Sequence, residues 1–505
     1  MLAKVFSAAI IGLNSQIVEI EVNASYGMRH FDIVGLADKS VQEAKERVAA
    51  AIHNSGFKSP FKQPVRVLVS LAPADLKKEG SFYDLPIALG FLTASEQIKF
   101  NFQDKILLGE LALDGKLRPI KGVLSLAITA REKGFAEIIL PKENALEAAL
   151  IKGIKVIGAE NLKQAIEYLQ GKKEISPSKV SAESFLKKTQ YPVDLGYIKG
   201  QETVKRALQV AAAGSHHLMM VGTPGAGKTL LAKAVPSILP ALDFEETLEI
   251  TKIYSIAGFL SKEKPLVNIR PFRAPHHTCS EAALIGGGNP PRPGEITLSH
   301  KGVLFLDEFP EFHRDALESL RQPLEEGQIT VLRAKHSITF PARFTLIAAS
   351  NPCPCGYYGD AEKECKCTNS QIRMYRRKLS GPLMDRIDLF ITVPPIKYEK
   401  LISPDEENCS MKIREKVNKA REIQKKRFNR DKTNSEIEIP EIKKYCQIDS
   451  KSNALLKKYV DSGKLSARGY HRVLKTARTI ADLDGSRNIL YDHLAEALMY
   501  RVRED

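Results

Sequence analysis

GTPGAGKT, residues 222–229, is the stretch on which the fold turns. It matches G-x-x-x-x-G-K-[ST], with an apolar run at 217–221 before it and a helix-forming run after it. Glycines at 222, 225 and 227 let the backbone curl until its amide groups face phosphate oxygens, and the following helix points its positive end at the same place. The candidate nucleotide-binding residues are therefore Gly222, Thr223, Pro224, Gly225, Ala226, Gly227, Lys228, Thr229 and Leu230. Lys228 is expected to neutralise the outer phosphates of ATP, and Thr229 to ligate magnesium. A loop that joins a buried strand to a helix in this way predicts an α/β fold around a parallel sheet.

Working outward, the apolar run VLFL at 303–306 ends in Asp307 and Glu308. That arrangement sets one carboxylate to orient magnesium through its water and a second to act as general base on an attacking water. An acidic pair at a strand end can also cap a helix; the phosphate loop favours catalysis. Asn351 follows a second buried run at 345–350, where its amide can hold the attacking water near the terminal phosphate.

The 505 residues exceed one ordinary core, so two to four domains are expected. Residues 1–171 alternate strand-like runs (17–22, 65–71, 137–140, 156–158) with helical ones (41–55, 123–133), which reads as an α/β domain. A Lys- and Ser-rich linker without periodicity follows at 172–190. The parallel-sheet ATPase core spans 191–397, with a hairpin-like run at 328–340, and a helical, basic lid domain spans 398–505. The apolar stretch 5–13 is about half a bilayer span, so it reads as a strand, and a cytoplasmic protein with no membrane partner is expected. The net charge of +15 favours a polyanionic partner, nucleic acid first among them.

Four of the seven cysteines crowd into one loop as two C-x-C pairs, Cys353 with Cys355 and Cys365 with Cys367. Four thiolates gathered by one loop suit tetrahedral zinc, a structural clip at 353–367. The bland alternative, four reduced thiols on a polar loop, leaves them open to oxidation.

Longer motifs carry a family resemblance: FRAPHHT at 272–278, GGGNPPRPGEITLSHKGVLFLDEFPEF at 286–312, SGPLMDRIDL at 380–389 and SARGYHRVLKTARTIADLDG at 466–485. Together with the phosphate loop they resemble the ComM/YifB family, magnesium-chelatase-like AAA+ ATPases, over nearly the whole chain. The resemblance implies a homo-hexameric DNA helicase that drives branch migration while transforming single strands are integrated. It implies that Arg386 is an arginine finger for the neighbouring subunit's nucleotide, and that Arg468 is the sensor arginine of the lid. The run 328–340 looks like the hairpin ahead of the sensor strand in minichromosome maintenance helicases, which makes Arg333 and Lys335 the candidate DNA contacts. The region of His276 and His277 resembles a family insertion whose role stays open.

Residues 1–170 resemble the Lon protease domain through LAPADLKKEGSFYDLPIALGFL at 71–92 and GKLRPIKGVLSLAITAREKGFAEIILPKENA at 115–145. A Lon-type protease needs a serine nucleophile beside a lysine base. Here the serine position falls at Asp84 or Leu85 and the lysine position at Leu126, while Ser81 lacks a lysine in the expected place, so the domain reads as non-proteolytic. Two rival functions share the motor. A magnesium chelatase ATPase subunit generally lacks the Lon-like domain and the C-x-C pairs; a Lon-like ATP-dependent protease is weakened by the missing lysine.

Overall fold

The computed structural model describes residues 1–180, 191–261, 263–288, 291–333, 336–360, 362–378, 381, 383–396, 398–401 and 409–501. They form two compact units: Met1–Lys188 with Phe244–Asn268 and Gly288–Arg292, and Thr189–Asp243 with Ile269–Gly287 and Pro293–Asp505. Residues 244–268 fold with the first unit, and the C-terminal helices share the second unit with residues 218–222 and 303–306.

The first unit is built on seven strands: β1 Leu2–Ile11, β2 Asn14–Tyr26, β3 His30–Val34, β4 Val65–Ala72, β5 Lys105–Leu107, β6 Glu137–Pro141 and β7 Lys155–Ala159. Their order is β3-β4-β2-β1-β5-β6-β7. Alternation sets the inner face: in β2, Val18, Ile20, Val22 and Ala24 are buried while their neighbours are not. The helix Asp84–Ala94 is buried almost throughout and belongs to the same core. Asp84, at one candidate serine position, is a carboxylate bonded to Arg47 Nε (2.8 Å) and Nη2 (2.9 Å), and Leu126 is fully buried. Burial pushes Asp84 up to about 6 against the pull of Arg47. Ser81 donates to Glu110.

The helix Phe244–Ala257 is held in this unit by named bonds. Ser255 O accepts from Gly122 N (3.1 Å), and Ser255 Oγ donates to Glu147, which also accepts from Leu124 N (3.0 Å). Burial pushes Glu147 up to about 7. The first part of the expected linker is tied down too: Ser178 N donates to Val156 O (2.9 Å) and Ile175 packs on the core; 181–190 lie outside the described residues.

In the second unit five strands are all parallel: β8 Leu218–Gly222, β9 Phe272–Arg273, β10 Val303–Leu306, β13 Thr345–Ser350 and β14 Leu389–Val393, with the hairpin strands β11 Gln328–Arg333 and β12 His336–Pro341 outside that sheet. The order is β9-β10-β13-β8-β14. Every residue of β10 and β13 is buried, as expected of a parallel sheet covered on both faces. Of the C-terminal helices, Ala467–Leu483 starts at Ser466, whose hydroxyl accepts from Gly469 N (3.1 Å), and buries Val473, Leu474, Ala477, Ile480 and Ala481 in the core that also holds Leu208 and Leu218. Among the described residues no helix is long and apolar enough to cross a membrane.

Asp388 joins that helix to the sheet. It is buried just before β14, where its carboxylate meets the Arg472 guanidinium, His216 Nδ1 (3.2 Å) and His217 N (3.1 Å). Burial alone would raise its pKa; Arg472 and His216 overcome that and hold it well below the usual carboxylate range. A depressed folded-state value gives stabilisation that is present above the unfolded value near ~3.9 and is lost as pH falls through the folded value, so this contact is intact at neutral pH and fails only in acid. Asp388→Asn leaves Arg472 facing an uncharged partner. We expect a loss of about 3 kcal/mol, the low end for a broken buried pair because Arg472 is partly exposed, read as a lower denaturation midpoint at unchanged m.

Candidate nucleotide site

The loop after β8 closes onto the helix Lys228–Ala234. Gly225 (φ 81°) and Gly227 (φ 87°) take left-handed backbone, which a side chain would resist, and Gly227 caps the helix. Lys228 Nζ donates to Gly222 O (2.6 Å), Thr223 O (3.0 Å) and Asn351 Oδ1 (3.1 Å). Burial lowers the pKa of its ammonium, opposed by the Asp307 charge. All three acceptors are neutral, so the positive charge over the loop stays uncompensated at close range and can turn to a phosphate oxygen.

Because β13 lies between β8 and β10, Asn351 at its end stands between the phosphate loop and the acidic pair. Thr229 Oγ1 donates to Asp307 Oδ2 (2.7 Å). Neighbouring ligands of a magnesium octahedron lie about 3.0 Å apart, so this oxygen pair fits one magnesium ion that keeps its other ligands from water and phosphate. Glu308 is a non-glycine residue at φ 51°; its N–H donates to Asp307 Oδ1 (3.0 Å) and its carboxylate points out, half exposed. A left-handed conformation at such a residue costs on the order of 1 kcal/mol and is found where a site dictates the backbone.

His277 is the residue whose part the sequence left open. Its Nδ1 lies 3.0 Å from Glu308 Oε2, and its ring lies 4.1 Å from His276. The available signal was its position four residues after β9, the strand that pairs with β10. A carboxylate engaged by an imidazole must be released before it can accept a proton from water. A partly exposed contact of this kind is worth at most about 1 kcal/mol, so His277→Ala is expected to raise ATP turnover by no more than about fivefold, measured as phosphate release.

Arg386 lies elsewhere. Strands β8 and β14 pair in parallel from Leu218 with Leu389 to Gly222 with Val393, so Arg386 precedes one end of the sheet while the phosphate loop follows the other. About 13 Å of strand separates the two ends, more than one side chain spans. Arg386 meets Glu325, and Arg468 lies 3.9 Å from Asp385. Both arginines line one cleft of ≈ 160 Å³ together with Arg472 and Lys475. Whole small-molecule sites run to about 300–1,000 Å³, so the cleft suits a charged fragment of a ligand held mainly elsewhere. The structure thus gathers Lys228, Thr229, Asp307 and Asn351 in one place and Arg386 with Arg468 in another. Arg333 pairs with His336 at the end of the hairpin; its side chain and Lys335 lie outside the described residues.

The four cysteines converge. All their Sγ atoms lie within 4.8 Å of one another, at 3.4 Å for Cys353–Cys355, 3.5 Å for Cys355–Cys365 and 3.7 Å for Cys353–Cys365. A tetrahedron with zinc–sulfur bonds of about 2.3 Å has edges near 3.7 Å, so the set fits zinc. Two backbone amides donate to the sulfurs, Cys355 N to Cys367 Sγ and Tyr358 N to Cys353 Sγ, both at 3.3 Å, as suits thiolate ligands.

Comparison with known proteins follows the same lines. The family profile "Magnesium chelatase, subunit ChlI" matches residues 194–401, its C-terminal companion matches 407–501, and "Subunit ChlI of Mg-chelatase" matches 20–144. The chain is 44% identical to "Competence protein ComM" of Haemophilus influenzae, over 99% of this chain and 97% of that protein. It is 43% identical to YifB of Escherichia coli, with the same coverage. The magnesium-chelatase 38 kDa subunit of Rhodobacter capsulatus is 26% identical, over 61% of this chain and 87% of that protein.

Proposed function

We propose, from the premise that this chain belongs to the ComM/YifB family of magnesium-chelatase-like ATPases, that it is a ring-forming, ATP-driven DNA translocase that moves branch points while transforming strands are integrated. The observation that carries the shared ring is the position of Arg386. It cannot reach the phosphates held by its own loop, yet it lines one cleft with Arg468, Arg472 and Lys475, cations that outnumber Glu325 and Asp385 there, and a phosphate held by another copy suits that cleft. In each pocket Lys228 neutralises the outer phosphates, Thr229 and Asp307 hold hydrated magnesium, and Glu308 takes the proton of a water that Asn351 holds. Arg386 and Arg468 of the neighbour stabilise the charge that develops on the terminal phosphoryl group. The cysteine loop holds zinc in a structural role, which supplies no reacting group.

Three features support DNA as the track: the net charge of +15, the hairpin outside the main sheet whose first strand ends at Arg333, and the competence protein among close relatives. Contacts from a hairpin tip would meet phosphates without reading bases, so affinity falls steeply with salt. The test is branch migration on a synthetic three-stranded junction with ATP or a non-hydrolysable analogue, beside ATP turnover with and without single-stranded DNA. We expect migration with ATP only, DNA-stimulated turnover, and loss of migration in an Arg333→Ala/Lys335→Ala chain. Turnover indifferent to every DNA tested would overturn the reading. A Lys228→Ala chain is expected to bind nucleotide about 10- to 150-fold more weakly, the cost of hydrogen bonds to a charged group, by titration with a fluorescent ADP.

The chelatase reading draws on the profile names, but that relative matches only 61% of this chain. It would require partner subunits and a porphyrin for turnover. The protease reading has a bonded carboxylate at Asp84 and buried leucines at 85 and 126 where it needs a nucleophile and a base.

A further inference from the structure

We propose that the four-cysteine loop is a working part of the nucleotide pocket: the metal it binds fixes Asn351 and the phosphate loop in place, so that nucleotide affinity depends on metal occupancy. This rests on the two readings above, of residues 222–229 as the nucleotide loop and of the cysteines as zinc ligands.

Two contacts on either side of the first cysteine pair carry the inference. Upstream, Asn351 accepts from Lys228 Nζ (3.1 Å), and Cys353, fully buried, follows only two residues later. Downstream, Gly356 comes directly after Cys355 at φ +88°. It approaches the phosphate loop so closely that an added Cβ would stand 2.7 Å from Pro224 Cγ and Cδ, and 3.9 Å from Asn351 Cγ. No larger residue fits there without moving one loop off the other. The turn between is closed by Gly356 N donating to Cys353 O (3.0 Å) and by Cys355 N donating to Cys367 Sγ (3.3 Å).

Fixing Cys353 and Cys355 by metal therefore fixes the residues at both ends of this turn, and each end touches the phosphate loop. Without metal, four sulfurs within 4.8 Å of one another have no bond to hold them together, and the ordering of the turn must come from its own few hydrogen bonds. The lysine that faces the phosphates then loses its Asn351 partner, and Pro224 loses the wall behind it. The metal does no chemistry on ATP; it decides whether the pocket has its shape before ATP arrives.

The experiment uses the full-length chain and two readouts, zinc content by elemental analysis and affinity for a fluorescent ADP with magnesium. Cys365→Ser removes a ligand from the second C-x-C pair, ten residues beyond Cys355 in the chain. Gly356→Ala keeps all four ligands and pushes on Pro224. We expect Cys365→Ser to lose zinc and to bind ADP roughly 10- to 100-fold more weakly, the loss of a charged hydrogen bond. Gly356→Ala is expected to keep its zinc and weaken by a similar factor, and chelated wild type to behave like Cys365→Ser until zinc is returned. Far-UV circular dichroism confirms that each variant is folded. Wild-type affinity in folded, zinc-free protein, or in zinc-loaded Gly356→Ala, overturns the proposal. A wild type that neither contains nor takes up zinc also overturns it, through the metal reading. Wild type that holds zinc but binds no ADP overturns it through the nucleotide reading.

Discussion

An Arg386→Ala chain is expected to bind MgATP as tightly as the wild type and to hydrolyse it about 10³- to 10⁵-fold more slowly, the range over which a trans arginine acts on phosphoryl transfer. Binding survives because the phosphate loop lies at the far end of the parallel sheet from Arg386. Turnover fails because the charge spreading over the terminal phosphoryl group loses a cation supplied from outside the subunit. Glu325, a partner in this copy, is more than half exposed, but the Arg386 side chain is only 11% exposed, so the denaturation midpoint of the variant is measured beside its turnover to separate a fold effect from a catalytic one. Phosphate release and nucleotide titration on the same preparation separate the two effects. A loss of affinity with unchanged kcat would mean that Arg386 serves ground-state binding instead.

Glu308→Gln is expected to cost about 10²- to 10⁴-fold in kcat, the usual contribution of a positioned base, with nucleotide affinity intact. The amide keeps the size of the carboxylate and can still hydrogen-bond to His277, so the backbone at φ 51° has no new reason to move. It cannot accept the proton of the attacking water. Such a chain should trap ATP and stay assembled on DNA, visible as slow nucleotide release. Normal hydrolysis would show that Glu308 is not the base.

What was legible in the sequence was whatever a short, contiguous spacing encodes. The glycine loop, the apolar strand ending in Asp307, the C-x-C pairs and the hairpin at 328–340 are all local patterns, and the parallel sheet follows from the first two. What was not legible depends on residues meeting across long stretches of chain. The helix Phe244–Ala257 reads as part of the ATPase by position, yet Ser255 bonds Glu147 and Gly122 of the first unit, a pairing that no periodicity announces. Asp388 sits in a motif that draws the eye to Arg386, while its own work is to tie β14 to Arg472 and His216. The pairing of His277 with Glu308, and the seat of Gly356 against Pro224, need the close approach of two loops; a lone histidine or glycine in sequence says nothing of it.

The central claim is that each pocket is completed by its neighbour, and one measurement tests it most directly: ATP turnover of an equimolar mixture of Arg386→Ala and Glu308→Gln chains. Each alone is inactive for a different reason, on opposite sides of the same interface. If the pocket is shared, an Arg386→Ala subunit keeps its base and borrows the arginine of an adjacent Glu308→Gln subunit, so the mixture regains turnover well above either protein alone. If each chain works by itself, no pairing of defects can heal, and the mixture stays at the sum of its two inactive parts.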